Sequence, residues 1–401
     1  MSEWKKVKLG EICERVTSGG TPKANVSSYY NPPTIPWLKT KEVNYCRITE
    51  TENYISEEGL KNSSAKLISP NSVIIAMYGQ GDTAGRIAIN KIPLATNQAC
   101  CNLTIDKSKA DYEFIYYQLC TLYDKLVSLK AGAAQPNLNA RIIKNLEIIM
   151  PSLPIQHRIA SILSRYDSLI ANYQKQIKLL EEAAQRLYKE WFIDLHFPGH
   201  ENTNIIDGVP EGWEKKKVNS IIELQSGFAF KSSTFDDNGA YKIVTIKNVK
   251  DGAFDGDNVS RIVAIPEKMP KHCVLADGDI LLSLTGNVGR VCIVNGKNYL
   301  LNQRVAKLAT DFKAFTYCLF RSREMFIEIN NLANGAAQQN VSPIRIGEMK
   351  ILLPNNKLLQ VFESIVFKSI VRIISLQSQL RLLTEARDRL LPKLMSGEIT
   401  I

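Results

Sequence analysis

No run of eighteen apolar residues occurs anywhere in the 401-residue chain, and the opening Met1-Ser2-Glu3-Trp4-Lys5-Lys6 lacks the apolar stretch of a secretory signal. Neither a membrane-spanning helix nor export is expected, and a cytoplasmic protein is. The eight cysteines include no C-x-x-C spacing, and apart from the adjacent Cys100-Cys101 they fall mostly in apolar or strand-like runs, so buried reduced thiols are expected rather than disulfides or zinc. Of only four histidines, His196 and His200 flank a helix stop, and His157 and His272 have no i, i+4 partner, so neither a metal site nor a nucleophile–base pair can be drawn. No G-x-x-x-x-G-K-[ST] loop occurs. Asn31-Pro32-Pro33-Thr34 has a threonine where base-stacking chemistry would need an aromatic, and no strand leads into a G-x-G cofactor loop, so it reads as a proline turn. Glu348-Met349-Lys350 has the E-x-K spacing of a nuclease site without a strand-borne Asp before it, and reads as a surface strand. No catalytic constellation and no cofactor site is found, and none is expected in this chain.

Composition is that of a folded protein, 45% hydrophobic and 22% charged, and the length allows two or more domains. The net charge is +10. It divides evenly, with 24 Lys+Arg against 19 Asp+Glu in residues 1–200 and 26 against 21 in the rest, and there is no basic tail. An evenly divided excess fits two folded domains that each face a polyanion.

The chain repeats itself. Gly132-Ala133-Ala134-Gln135-Pro136-Asn137 is followed nineteen residues after its glycine by Pro151, and Gly335-Ala336-Ala337-Gln338-Gln339-Asn340 is followed at the same distance by Pro354; a helical run follows each proline. Upstream, Gly85-Arg86 and Asn97-Gln98 are answered by Gly289-Arg290 and Asn302-Gln303-Arg304, and the residues after each Gly-Arg (Ile87 and Ile89; Val291, Ile293 and Val294) predict a strand. Trp4, Leu9 and Ser18-Gly19-Gly20 are matched by Trp213, Val218 and Ser226-Gly227. The offset drifts from 209 at the tryptophans to 203 at the helices, and most side chains between the anchors differ. That is one scaffold carrying two surfaces.

Each copy ends in a seam of apolar residues at alternating steps of four and three. The first runs through Ile159, Leu163, Tyr166, Ile170, Tyr173, Ile177, Leu180, Ala184, Leu187 and Trp191; the second through Phe362, Val366, Ile373, Leu376, Leu380, Leu383, Leu390 and Leu394, interrupted by Ser369 and Arg387. Such a stripe stabilises only when buried, at about 1.5–3 kcal/mol per side chain. The helices are therefore expected to pack on each other as an antiparallel coiled coil, giving a pseudo-twofold molecule with its termini close together. Pro154 suits a first helical turn, Pro198-Gly199 is expected to stop the first helix, and Pro392 to kink or end the second and leave Leu394 beyond it. The expected organisation is a strand-rich α+β domain at 1–150, a long helix at 151–198, a second such domain at 199–353 and a second long helix at 354–401.

With two variable halves, the G-A-A-Q-x-N junctions and two seam helices, the chain resembles the specificity subunit of a type I restriction-modification enzyme over its whole length. The resemblance implies that each half is a target recognition domain reading one part of a split double-stranded DNA sequence, with the paired helices as spacer. It implies a non-catalytic chain working with two modification (methyltransferase) subunits and separate restriction subunits, which would carry S-adenosylmethionine, ATP and Mg. Competing readings are a self-sufficient methyltransferase and a coiled-coil scaffold with no DNA role.

Contact residues are inferred from chemistry, since glycine-flanked polar loops approach phosphates and Arg, Lys, Asn and Gln read base edges. In the first domain they are Thr17, Ser18, Thr21, Lys23, Lys39, Lys41, Gln80 and Arg86. In the second they are Ser226, Lys231, Lys247, Asn248, Thr285, Asn287 and Arg290. Asn97-Gln98, Asn302-Gln303, Gln135 and Gln338 recur, so they suit scaffolding as well as contact.

Overall fold

A computed structural model describes residues 4–130, 137–333, 340–399 and 401. Contacts divide the chain into two compact units, Met1–Leu169 with Thr384–Ile401, and Ile170–Leu383. The division cuts both long helices, so each unit holds part of each.

In the first unit, antiparallel strands Cys13–Ser18, Cys100–Ile105, Val73–Ala76 and Ile87–Asn90 lie side by side in that order, and Cys46–Ile48 adds to the edge in parallel. The apolar runs Val73–Ala76 and Ile87–Asn90 are buried throughout, as strands covered on both faces must be. A second sheet, ordered Tyr54–Ile55, Ile35–Leu38, Leu94–Thr96 and Leu67–Ile68, completes the domain. The second unit repeats this plan: Glu223–Ser226, Val305–Ala309, Ile280–Ser283 and Val291–Ile293 form one sheet, and Ser260–Ile262, Tyr241–Val244, Tyr299–Leu301 and Val274–Leu275 the other. The predicted strands after Gly85-Arg86 and Gly289-Arg290 are among them. All eight cysteines are free thiols, buried or half-buried; burial pushes the Cys101 thiol up to about 12.

The first long helix spans Leu153–Tyr188 and continues as a π turn over Lys189–Ile193; the second spans Asn356–Met395. Every seam side chain is buried or half-buried. In the second unit, Trp191 and Tyr188 pack on Phe362, with ring centroids 5.7 and 6.2 Å apart. In the first, Ile159 and Leu163 share a core with Leu394 and Met395. In the second unit late residues of the first helix thus meet an early residue of the second, and in the first unit early residues of the first meet the last residues of the second, which is antiparallel pairing.

Three departures from expectation have local causes. The first helix ends before Pro198: Leu195 takes a left-handed φ of 61° while Phe192 and Phe197 turn into the core of the second unit. Pro392 does not end the second helix, which runs on to Met395 and buries Leu394 to 1% exposure. At Ser369 the seam is filled by its neighbour Ile370, 3% exposed.

Arg387 breaks the apolar seam because an acid faces it. Its guanidinium donates to Asp167 at 2.9 Å, and the same carboxylate accepts from Arg47 at 2.7 Å and the Tyr117 hydroxyl at 2.5 Å. Arg47 also binds Glu113, at 2.5 Å, and Glu113 binds Lys91 at 3.0 Å. Burial would raise the Asp167 pKa, but the Tyr117 hydrogen bond and the two arginines outweigh it and hold the carboxyl below the usual range. In the second unit Glu181 has a similar place, accepting from Tyr317 at 2.8 Å and Arg321 at 2.5 Å. Each domain thus grips the first long helix through a tyrosine hydroxyl and an arginine.

Candidate nucleic-acid interface

The recurring motifs, scattered in sequence, converge in each domain. In the first, Ser18 ends a strand and Gly19-Gly20 lie so close to the Thr96-Asn97 backbone that a Cβ on Gly19 would overlap both carbonyls; Gly20 N–H donates to Thr96 O at 2.9 Å. In the second, a Cβ on Gly227 would overlap Asn302 O, and Phe228 N–H donates to Leu301 O at 2.9 Å while Gln303 N–H donates to Phe228 O at 3.0 Å. Only glycine permits such an approach. Gly85 and Gly289 turn the next hairpin with φ of 93° and 84°.

The third motif ends at the same place. Leu138 N–H donates to Met77 O at 3.0 Å, and Val341 N–H to Leu284 O at 2.9 Å. The junction residues 131–136 and 334–339, with Gln135 and Gln338, lie outside the described residues. Asn97-Gln98 and Asn302-Gln303 therefore serve the scaffold through their backbones, and their side chains add to it: Gln98 accepts from the Thr21 hydroxyl, Asn97 from the Cys100 thiol and Asn302 from the Arg304 N–H.

On this shared frame the two surfaces differ. The first domain opens a cleft of about 790 Å³ lined by Thr21, Tyr30, Trp37, Lys39, Asn53 and Asn97 among others. Trp37 is fixed by its indole N–H donating to Gly20 O at 3.1 Å; the Lys39 ammonium lies 5.0 Å from the Trp37 ring and donates to Asn53 at 3.0 Å. The second domain has a recess of about 480 Å³ walled by Ser226, Thr285, Gln303, Arg304, Asn340 and the segment Val341-Ser342-Pro343.

Thr21 and Lys39 share the cleft, and Ser226 and Thr285 share the recess. Ser18, Lys23, Gln80, Lys231, Lys247 and Asn287 are exposed, and Thr17 is half-buried. Lys41 is exposed and paired with Glu52. Arg86 is tied to Asp82 at 2.5 Å, whereas Arg290, half-buried, makes no ion pair among the described residues.

Two of the expected contacts are buried. Asn248 is 1% exposed, and its amide is spent on Thr245 N–H, Asp255 O and Asn258 O, holding a loop together. Thr285 is 8% exposed with its hydroxyl bonded to Asn340 at 2.9 Å. Chemistry alone cannot tell a buried Asn from an exposed one. Trp37, Asn53 and Arg304 line these openings without having been among the expected contacts; Arg304 directly follows a repeated Asn-Gln pair.

Among the described residues no group of three or more His, Cys, Asp or Glu could hold a metal, and no helix is long and apolar enough to cross a membrane. Two polar surfaces on duplicate frames suit binding.

A family model described as a type I restriction modification DNA specificity domain matches residues 1–182 and again 210–381. The specificity subunit of type I restriction enzyme MjaIX from Methanocaldococcus jannaschii is 29% identical over 417 residues, covering 100% of this chain and 94% of the relative. The EcoR124I/EcoR124II specificity subunit of Escherichia coli is 28% identical over 198 residues, 49% of this chain and 48% of its own. Among solved structures, the S subunit of a type I restriction-modification system from M. genitalium superposes with a TM-score of 0.68 at 17% identity, covering 98% of this chain and 96% of that one, a likeness of fold.

Proposed function

Because the chain belongs to the type I restriction-modification DNA specificity family, we propose that it reads a two-part DNA sequence, one part per recognition domain, on behalf of catalytic partner subunits. The observation that carries this reading is the pair of unlike surfaces on one repeated frame: Trp37, Lys39 and Asn53 in the first domain, and exposed Lys231, Lys247 and Asn287 with half-buried Arg290 in the second. Two readers with the same chemistry would read the same half-site; these two differ. As a specificity subunit the chain is not itself the enzyme. Its partners are two modification subunits and restriction subunits, which bring S-adenosylmethionine, ATP and Mg. The seam helices set the gap between the half-sites.

Docking of a modification subunit is supported by Val361, Ile365, Phe367 and Val371, which the second long helix leaves exposed. Exposed apolar side chains grouped on one helix suit a protein partner. Mapping methylated bases genome-wide in a methylation-free host that carries the chain and its modification subunits tests the reading. The expected result is a two-part motif with a constant gap; a continuous motif would overturn it. Binding of radiolabelled S-adenosylmethionine by the chain alone would point to a self-sufficient methyltransferase instead.

A further inference from the structure

The recess of the second domain does a different job from base reading. We propose that it seats one DNA backbone phosphate, with Arg304 as its cationic wall, an inference that rests on the DNA-reading role above and assigns a residue within it. The recess is lined by Ser226, Leu284, Thr285, Gln303, Arg304, Asn340 and the Val341–Pro343 segment, with no carboxylate among them. Arg304 is exposed, and among the described residues its guanidinium makes no ion pair. The surrounding polar groups are neutral, so the charge of the recess is that of Arg304, and it suits an anion.

The recess is also rigidly built. Val305 N–H donates to Asn302 O at 3.0 Å and Arg304 N–H to the Asn302 side chain at 3.4 Å. Gln303 N–H is held by Phe228 O on one side, and Asn340 is pinned to Thr285 at 2.9 Å on another. The guanidinium therefore projects from a backbone that cannot retreat.

Shape decides between phosphate and base. A base edge lies at the floor of a groove and is reached by side chains that project into it. A phosphate projects from the duplex and can enter a concavity, and such contacts set register without reading sequence. At the matching place the first domain has the buried, uncharged Ala99, so the seat belongs to the second domain alone.

The test uses the full chain assembled with its modification subunits and a duplex carrying the methylated sequence. Single uncharged methylphosphonate linkages are walked along the half-site of the second domain. The expected result for the unmodified protein is a loss of about tenfold at one linkage. Arg304→Ala should bind the unmodified duplex about tenfold more weakly, lose its sensitivity at that linkage alone, and reduce the slope of log affinity against log salt by about one. Its methylated motif and melting temperature should not change, and Arg304→Lys should recover part of the affinity. An altered motif in Arg304→Ala would make Arg304 a base reader and overturn the proposal; so would an unchanged affinity and salt slope. Failure of the unmodified assembly to bind any duplex would instead overturn the DNA-reading role.

Discussion

Replacing Asp167 by Asn tests whether the ion cluster in the first unit holds domain and helices together. The substitution keeps the shape of the side chain and removes its charge. Asp167 is 12% exposed at the side chain, and its arginine partners 23% and 27%. Removing one partner of a buried ion pair costs about 3–5 kcal/mol. Here Arg47 retains Glu113 at 2.5 Å and Arg387 retains Asp388 at 2.7 Å, and the amide oxygen can still accept from Tyr117, so about 2–3 kcal/mol is expected. At roughly 2–4 °C per kcal/mol for a unit of this size, melting should fall by about 5–10 °C. The folded-state pKa of Asp167 lies below its unfolded value. Its stabilisation is therefore complete above an unfolded pKa of about 3.9 and is lost as pH falls through the folded value. Urea unfolding of both proteins from pH 7 to pH 3 should show a constant gap down to about pH 5 that narrows below about pH 4. A gap under about 1 kcal/mol at pH 7, or one undiminished at pH 3, would show that the charge of Asp167 is not what binds the cluster.

Arg290→Ala should relax reading of one half-site by about 1–3 kcal/mol and leave the other half intact, as scored by methylome sequencing. Uniform loss across both halves would make it a backbone contact. A matched seven-residue insertion after Leu180 and at the facing site of the second helix adds about 10.5 Å and nearly preserves the seam, so the unread gap should lengthen by about three base pairs; an active variant with an unchanged gap would free the helices from any spacing role. Ile365→Asp should abolish co-purification of a modification subunit with no loss of melting temperature, and retention of the subunit would place its dock elsewhere. DNA affinity of the assembly should fall roughly a thousandfold between 50 and 200 mM salt if about six to ten phosphates are engaged, a profile that titration at several salt concentrations checks.

Periodicity made the long helices legible, because a stripe of seam residues has one stable solution, and every named seam position is buried or half-buried. The exceptions were legible as irregularities but not as solutions. Nothing local says that Arg387 would find Asp167, 220 residues away, or that Ile370 would fill in for Ser369. Pro392 was misjudged because local helix rules omit the core that draws in Leu394 and Met395. The recurring motifs marked the frame correctly, since a glycine pressed against a backbone leaves a trace at each copy. The candidate contacts fared less evenly: residue chemistry located Thr21 and Lys39 in a cleft, yet also selected Asn248, whose amide is consumed by its own loop.

The first unit draws its core from both ends of the described chain: Ile159 and Leu163 pack with Leu394 and Met395, and Trp4 lies against Gly397. A ribosome delivers these pieces far apart in time. The segment Ile170–Leu383 has all its internal partners once residue 383 emerges, whereas the domain translated first must wait for the last turns of the final helix. Its earlier strands meanwhile sit with an apolar face uncovered, the condition under which nascent chains aggregate or recruit chaperones. Removing residues 384–401 would thus damage the domain at residues 4–169, and limited proteolysis of the truncated product should cut within residues 4–169 before it cuts within 170–383.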